Sequence, residues 1–249
     1  MSDRIVIEAI PGIPFIAEGD DIGLIIVEAA RQNRFDFNDG DVLCIASKAV
    51  STAEGRQLSL EDIEVSEVAK SIHEQIPRKD PRAIQVILDQ TGQPDGSRID
   101  LDTNYIAGWL PSGMRLTSSG VDKLSANEVI LLPEDSDKSA RAIGKTLLDQ
   151  TGVRVAVIVT DSDGRVDKTG STQLAIGLYG VPALRVNESK DSSGKISVAE
   201  ETICDLLAGS AALIMGQRGT NKPAVVIRGY QYGFDENSSI NDALSRKPQ

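Results

Sequence analysis

The chain has 249 residues, 40% of them hydrophobic, and a formal net charge of −11 with a pI near 4.7. That length leaves room for one large domain or two small ones with ample core. The acidity speaks against nucleic acid and anionic membrane surfaces as partners, because both draw affinity from basic faces, but it leaves anionic small molecules open, since a divalent cation or a local Lys/Arg cluster reverses the field inside a cleft.

In chain order, Arg4 to Ala9 predicts a first strand ended by Pro11-Gly12 and Pro14. Gly12 to Ile16 is apolar but proline-broken, a rigid loop able to offer backbone groups and an apolar wall to a flat ring. Asp20 or Asp21 starts a helix over Ile22 to Arg31, and Asp41 to Ala46 forms a buried strand that ends on Ser47 and Lys48. Val50 to Arg56 carries a charge pair beside a glycine. Helices follow at Glu61 to Gln75 and Pro81 to Gln90. His73, the lone histidine, lies in a polar stretch and is expected on the surface, so histidine-dependent catalysis has little support. Thr91 to Leu101 reads as a turn-rich loop, and Tyr105 to Leu110 with Met114 to Thr117 as a hairpin around Pro111-Ser112-Gly113. Glu128 to Leu132 is a strand, and Asp135 or Ser136 caps a helix running to Leu148.

Val155 to Arg165 carries the clearest chemical pattern. Aliphatic residues Val155 to Val159 run into Thr160-Asp161-Ser162-Asp163-Gly164-Arg165, which predicts a buried strand, a tight reversal at Asp163-Gly164, and Asp161 and the Ser162 hydroxyl facing beyond the sheet edge. Oxygen ligands of this kind suit Mg²⁺; the plainer reading is a strand and turn with solvated acids. Asp122 is expected in the same relation to its own strand, so the two carboxylates could share a cation, although spacing alone does not show that they meet. Ser171 to Leu178 is a further strand, the segment through Gly194 is looser, and Glu200 to Met215 forms a helix. The loop Gly216 to Lys222 then offers two glycines for close backbone approach, Arg218 and Lys222 for phosphate charge, and the Gln217 amide oxygen; its plainer reading is a helix cap and surface turn. Pro223 to Arg228 is a buried strand, and the tail is peripheral with a short helix near Ile240 to Leu244.

Cys44 and Cys204 each sit in apolar segments without a second cysteine or histidine nearby, so both read as reduced core thiols rather than zinc ligands. No GxxxxGK[ST] or GxGxxG occurs, which removes the P-loop and dinucleotide readings. No leader is read at the amino terminus and no run reaches the roughly 18 apolar residues of a membrane span, so a cytoplasmic location is expected. Strands outnumber any regular βα alternation. The expected fold class is therefore α+β with mixed or antiparallel sheets, as one domain over residues 1–249, either a single unit or two intertwined subdomains.

In order, Gly12-Ile-Pro-Phe-Ile, Glu18-Gly-Asp-Asp, Gly40-Asp-Val-Leu, Ala53-Glu-Gly-Arg, Gly120-Val-Asp, Leu131-Leu-Pro-Glu-Asp-Ser-Asp, Val159-Thr-Asp-Ser-Asp-Gly-Arg, Ala175-Ile-Gly, Met215-Gly-Gln and Pro223-Ala-Val-Val-Ile-Arg-Gly resemble the coenzyme F420-0:L-glutamate ligase (γ-glutamyl ligase) family from Pro11 to Gly229. The resemblance implies a homodimeric ligase of that family's fold. It would join L-glutamate to a carboxylate of a deazaflavin precursor with GTP and two Mg²⁺ or Mn²⁺ ions. By position it implies Asp122 and Asp161 as catalytic acids, and Asp122, Asp161, Ser162 and Gln217 as metal ligands. The nucleotide contacts it implies are Ile13, Pro14, Phe15, Ile16, Ser47, Lys48, Gly216, Gln217, Arg218, Gly219, Thr220, Asn221 and Lys222, with Ser125 nearest to an asparagine that the family carries.

Three positions depart from the family's pattern: Lys123-Leu124-Ser125 after Asp122, Thr52 in place of a lysine, and Val166 to Gly170 in place of aromatic and arginine residues. They keep a diverged acceptor, or a nucleotide-binding homologue without catalysis, as alternatives.

Overall fold

The computed structural model describes residues 4–190 and 192–245. The expectation of one domain over 1–249 therefore extends at residues 1–3, 191 and 246–249 beyond the described residues. The chain is α+β. Its main sheet contains β1 (Val6–Ala9), β2 (Val42–Ala46), β9 (Ala156–Gly164), β10 (Ser171–Tyr179) and β13 (Ala224–Arg228) in the order β1-β13-β2-β9-β10. Only β2 and β9 run parallel; the remaining neighbours are antiparallel. Helices cover both faces. Gly144, within α5 (Ser136–Thr151), packs beneath Tyr179 and Val157, while the Cys44 thiol on the opposite face points at the Leu207 carbonyl of α6 (Ile203–Met215). Covering on two sides explains why Val155 to Val159 is an unbroken apolar run rather than an alternating one.

α1 (Ile22–Gln32) packs against α5 and is capped by Asp21, whose carboxylate accepts from the Leu24 N–H. A second core forms where α3 (Glu67–Gln75) and α4 (Pro81–Gln90) meet two small sheets. One sheet pairs β3 (Gln57–Ser59), β8 (Glu128–Ile130) and β7 (Asp122–Lys123); the other pairs β4 (Ile99–Asp102), β5 (Tyr105–Trp109) and β6 (Arg115–Thr117). Leu60, Ile72, Ile84, Ile87, Ile106 and Val129 fill it.

Several expectations are corrected. Ser47–Ala53, for which the sequence predicts no element, is a helix, α2. The helix expected from Glu61 starts at Glu67, because Ser66 caps it by accepting from the Ala69 N–H. The segment expected to be loose through Gly194 contains a hairpin, β11 (Arg185–Lys190) with β12 (Ile196–Glu201), and β12 delays the start of α6 to Ile203. His73 is half-buried rather than superficial, with its ring Nδ1 2.9 Å from the Lys79 carbonyl. The tail is pinned: Asp137 accepts from the Ser239 hydroxyl at 2.6 Å and from the Ile240 N–H. Cys44 and Cys204 are both free and buried, as expected. No helix among the described residues is long and apolar enough to cross a membrane.

Candidate functional site

The main sheet gathers chemistry at one end. β2 and β9 run parallel toward it, and antiparallel β13 and β10 begin there, so two strand ends and two strand starts converge. The Ala46 N–H donates to the Pro223 carbonyl at 2.8 Å, which seats the Gly216–Lys222 loop beside the start of α2. A cavity of about 990 Å³ opens at this end, and its far wall is Asp122, Lys123 and Leu124 from β7 and the residue after it.

Asp161 lies one residue past the β2–β9 pairing, which ends at Ala46 opposite Thr160, but not past the end of its own strand. β9 continues to Gly164 and pairs with β10 as far as Ser171 opposite Gly164. Asp163-Gly164 therefore does not reverse the chain, because Asp163 is buried and accepts from the Thr117 N–H at 2.7 Å while the Gly164 N–H donates to the Thr117 hydroxyl at 3.0 Å. The turn falls at residues 165–170. The strand thus carries Asp161 within its hydrogen-bonded length, at the bottom of a cleft that solvent reaches through the cavity. Ser47 donates to Asp161 Oδ1 at 2.6 Å. Burial pushes the Asp161 carboxyl up to about 7; the negative charges of Asp122 and Asp163 add to the rise, and the Ser47 hydrogen bond opposes it.

Asp122 arrives differently. It opens the two-residue β7, rather than closing a long strand, and follows Ser118, Ser119 and Gly120, all with positive φ. Its carboxylate is half-exposed and ion-paired to Lys48 at 2.9 Å. The Gly216–Lys222 loop starts with Gly216 at φ 66° and ψ −178°, a backbone state open essentially to glycine alone. The Gly216 N–H caps α6 by donating to the Ala212 carbonyl, so the cap reading and the cavity-lining reading both hold for the same residue. Thr220 ties the loop back by donating to the Met215 carbonyl.

The cavity brings together Ile13, Pro14, Phe15, Ile16, Ser47, Lys48, Asp122, Asp161, Ser162 and all of Gly216 to Lys222. Phe15 is fully exposed above it. It does not include Ser125, whose hydroxyl donates to Glu128 at 3.1 Å and accepts from the Asn127 N–H. Lys123, noted from the sequence only as a departure from the family's pattern, also lines it, as do Ser171 and Gln173, which were not singled out. The period-two alternation of β10 held the signal for the last two, since Gln173 lies directly across from Ser162.

No group of three or more His, Cys, Asp or Glu side chains converges among the described residues. A cation here would rest on two carboxylates completed by neutral oxygens, which is an ordinary donor set for Mg²⁺. The residues fit such an ion: Asp161 is desolvated, repelled by Asp122 and without an ion-pair partner among the described residues, and the Ser162 hydroxyl and Gln217 amide share its cavity.

A family model described as F420-0:Gamma-glutamyl ligase matches residues 12–229. The chain is 38% identical over 227 residues to the coenzyme F420:L-glutamate ligase of Methanopyrus kandleri, covering 90% of this chain and 86% of that protein. Its identity to the enzyme of the same name from Methanosarcina mazei is 36% over 239 residues, with 94% and 90% covered. To that from Archaeoglobus fulgidus it is 35% over 230 residues, with 91% and 88% covered.

Proposed function

The chain belongs to the F420-0:gamma-glutamyl ligase family, and from that premise we propose that it is a GTP- and divalent-metal-dependent ligase joining the α-amino group of L-glutamate to the carboxylate of a coenzyme F420 precursor. The observation that carries this reading is the cavity that a half-buried carboxylate without an ion-pair partner among the described residues, Asp161, shares with a second acid, Asp122, and a glycine-bearing loop with Arg218 and Lys222.

A carboxylate is a poor acyl donor, so amide formation needs activation. In the proposed sequence the precursor's carboxylate oxygen attacks the γ-phosphorus of GTP, an O–P bond forms, and GDP leaves with the electrons of the broken bond. The amine then attacks the acyl carbon, phosphate departs, and the nitrogen loses its proton. Bound Mg²⁺ or Mn²⁺ would supply Lewis acidity to the phosphoryl oxygens, held by Asp161 and Asp122 with Ser162 and Gln217. Arg218 and Lys222 neutralise phosphate charge, and backbone N–H groups of the loop approach it closely because Gly216 and Gly219 carry no side chain. The apolar Ile13–Ile16 loop, with Phe15 at its tip, offers a wall to a planar ring.

A homodimer and a cytoplasmic location belong to the same proposal. Val186, Ile196 and Val198, exposed aliphatics on one face of the β11–β12 hairpin, support the dimer, which light scattering reads directly.

Purified protein incubated with GTP, Mg²⁺, L-glutamate and the glutamate-free coenzyme gains one glutamate on the coenzyme by mass spectrometry; no gain sinks the acceptor assignment. The second reading, a nucleotide-binding homologue without catalysis, is favoured by Ser125 turning away to Glu128 and by the commitment of Lys48 to Asp122. GTP binding in calorimetry without phosphate release, whatever acid is offered, would establish it.

A further inference from the structure

Two buried side-chain polar atoms among the described residues have no hydrogen-bond partner, Gln173 Oε1 and Ser238 Oγ. Only Gln173 lines the cavity. Its side chain is 7% exposed, and a buried carbonyl without a donor costs about 1–3 kcal/mol relative to one that is satisfied. Such an atom calls for an explanation, and its place in the site supplies one.

β10 sets Gln173 opposite Ser162, so the two side chains share a face of the sheet, with Ser171 two residues along on the same face and also lining the cavity. This is the face covered by α6: Thr160, two residues before Ser162, lies against Met215 Sδ at 3.8 Å. Asp161 projects to the other face, where Ser47 holds it. Asp122 and Lys48 line the cavity with Asp161, while on the face of Gln173 the sheet itself contributes only uncharged groups, the Ser171 hydroxyl and that of Ser162, a proposed cation ligand. A neutral donor such as an amine N–H fits an orphaned carbonyl.

We infer that Gln173 Oε1 accepts a hydrogen bond from the amine of the incoming amino acid and so aims its lone pair at the acyl carbon. This rests on the ligase reading above. The contact is made to the neutral amine, the form that forms the C–N bond. An amide oxygen is too weak a base to take the proton released in that step, which passes to water or to the departing phosphate. Gln173 therefore positions the nucleophile and does not titrate. Oε1 is closed to solvent in the free protein, so the side chain turns toward the cavity to make this contact when the substrate binds.

The test compares wild type with Gln173→Leu, which keeps the bulk and removes the acceptor. Expected are a KM for L-glutamate raised about tenfold, the weight of one hydrogen bond, an unchanged KM for GTP, and a melting temperature of the free protein equal to or above wild type. A merely structural glutamine would instead lower the melting temperature and disturb both substrates. Direct binding of L-glutamate to the GTP-loaded proteins, followed by saturation-transfer NMR, is expected for wild type and lost for the variant. If wild type ligates glutamate and the variant matches it in KM and binding, the inference falls and the ligase reading stands. Should wild type bind glutamate without ligating it while the variant fails to bind, the ligase reading falls and the amine contact stands. Wild type that binds no glutamate overturns both.

Discussion

The two acids of the cavity are held by opposite means. Asp161 rides on a nine-residue strand that is paired on both sides and buried as far as Thr160 and on the β10 side beyond it, with Ser47 fixing its oxygen. Asp122 sits on a two-residue strand behind a run of left-handed residues, half in solvent and neutralised by Lys48. A stiff support with no ion-pair partner among the described residues leaves Asp161 with its desolvation unrelieved, which a cation would answer. A strained support with a lysine beside it makes Asp122 adjustable and already compensated. The main sheet therefore supplies a rigid half-site, and the second core supplies a half-site set by turn geometry.

Substituting the acids gives the sharpest contrast. Asp161→Asn is expected to weaken Mg²⁺-dependent GTP binding in calorimetry by about 100-fold or more, beyond the 10- to 100-fold typical for losing a group that merely supports a ligand. Asp122→Asn is expected to cost roughly ten times less than that, because Lys48 already neutralises its charge. Equal losses would erase the distinction between the two supports, and unchanged affinity for Asp161→Asn would remove it from the metal site.

The same Asp161→Asn variant carries a pH signature in the metal-free protein. The folded carboxyl keeps its proton up to about pH 7, whereas the unfolded chain releases it near about 3.9. Between those values the folded state binds more protons, so this group's contribution to stability falls as pH rises and stays low above 7. The asparagine has no such loss. Its melting temperature is expected to match wild type near pH 4, to gain on it up to pH 7, and to hold a constant lead beyond. A lead that is widest at pH 4 would contradict the burial that sets this carboxyl.

The smallest expected effect tests the other arm. At Gly120, φ is +73° and an added Cβ would lie 2.4 Å from Leu132 Cδ1. Gly120→Ala is expected to cost about 1–3 kcal/mol, lowering the melting temperature by several degrees. It should also weaken Mg²⁺-dependent GTP binding less than Asp122→Asn does. Unaltered stability would show that the left-handed turn is not what sets Asp122.

Legibility followed the same division. The strand leading to Asp161, the Asp21 and Asp135 helix caps, the core thiols and the hairpin at Pro111-Ser112-Gly113 all express spacing within a few residues, and the structure keeps them. The end of β9 was misplaced because Asp163-Gly164 has the composition of a turn, while Thr117, far off in the chain, supplies the donor that keeps the strand going. The exposed hairpin β11–β12 was missed because its alternation mixes aliphatic and charged residues on one face. Ser125 bonds locally to Glu128 outside the cavity wall, a contact its spacing from Asp122 does not reveal.

By itself, then, the sequence determined that the chain has α+β architecture, an apolar strand ending in acids, a glycine-bearing cationic loop, and the ordered segments by which its family is identified. Local periodicity and turn chemistry are written in neighbouring residues. Only the tertiary structure decided that Ser47 meets Asp161 across 114 residues, that Lys48 pairs with Asp122, and that Gln173 is left without a partner at the cavity wall. Those facts depend on which strand ends the sheet order brings together, and packing of distant segments leaves no mark in the spacing of near ones.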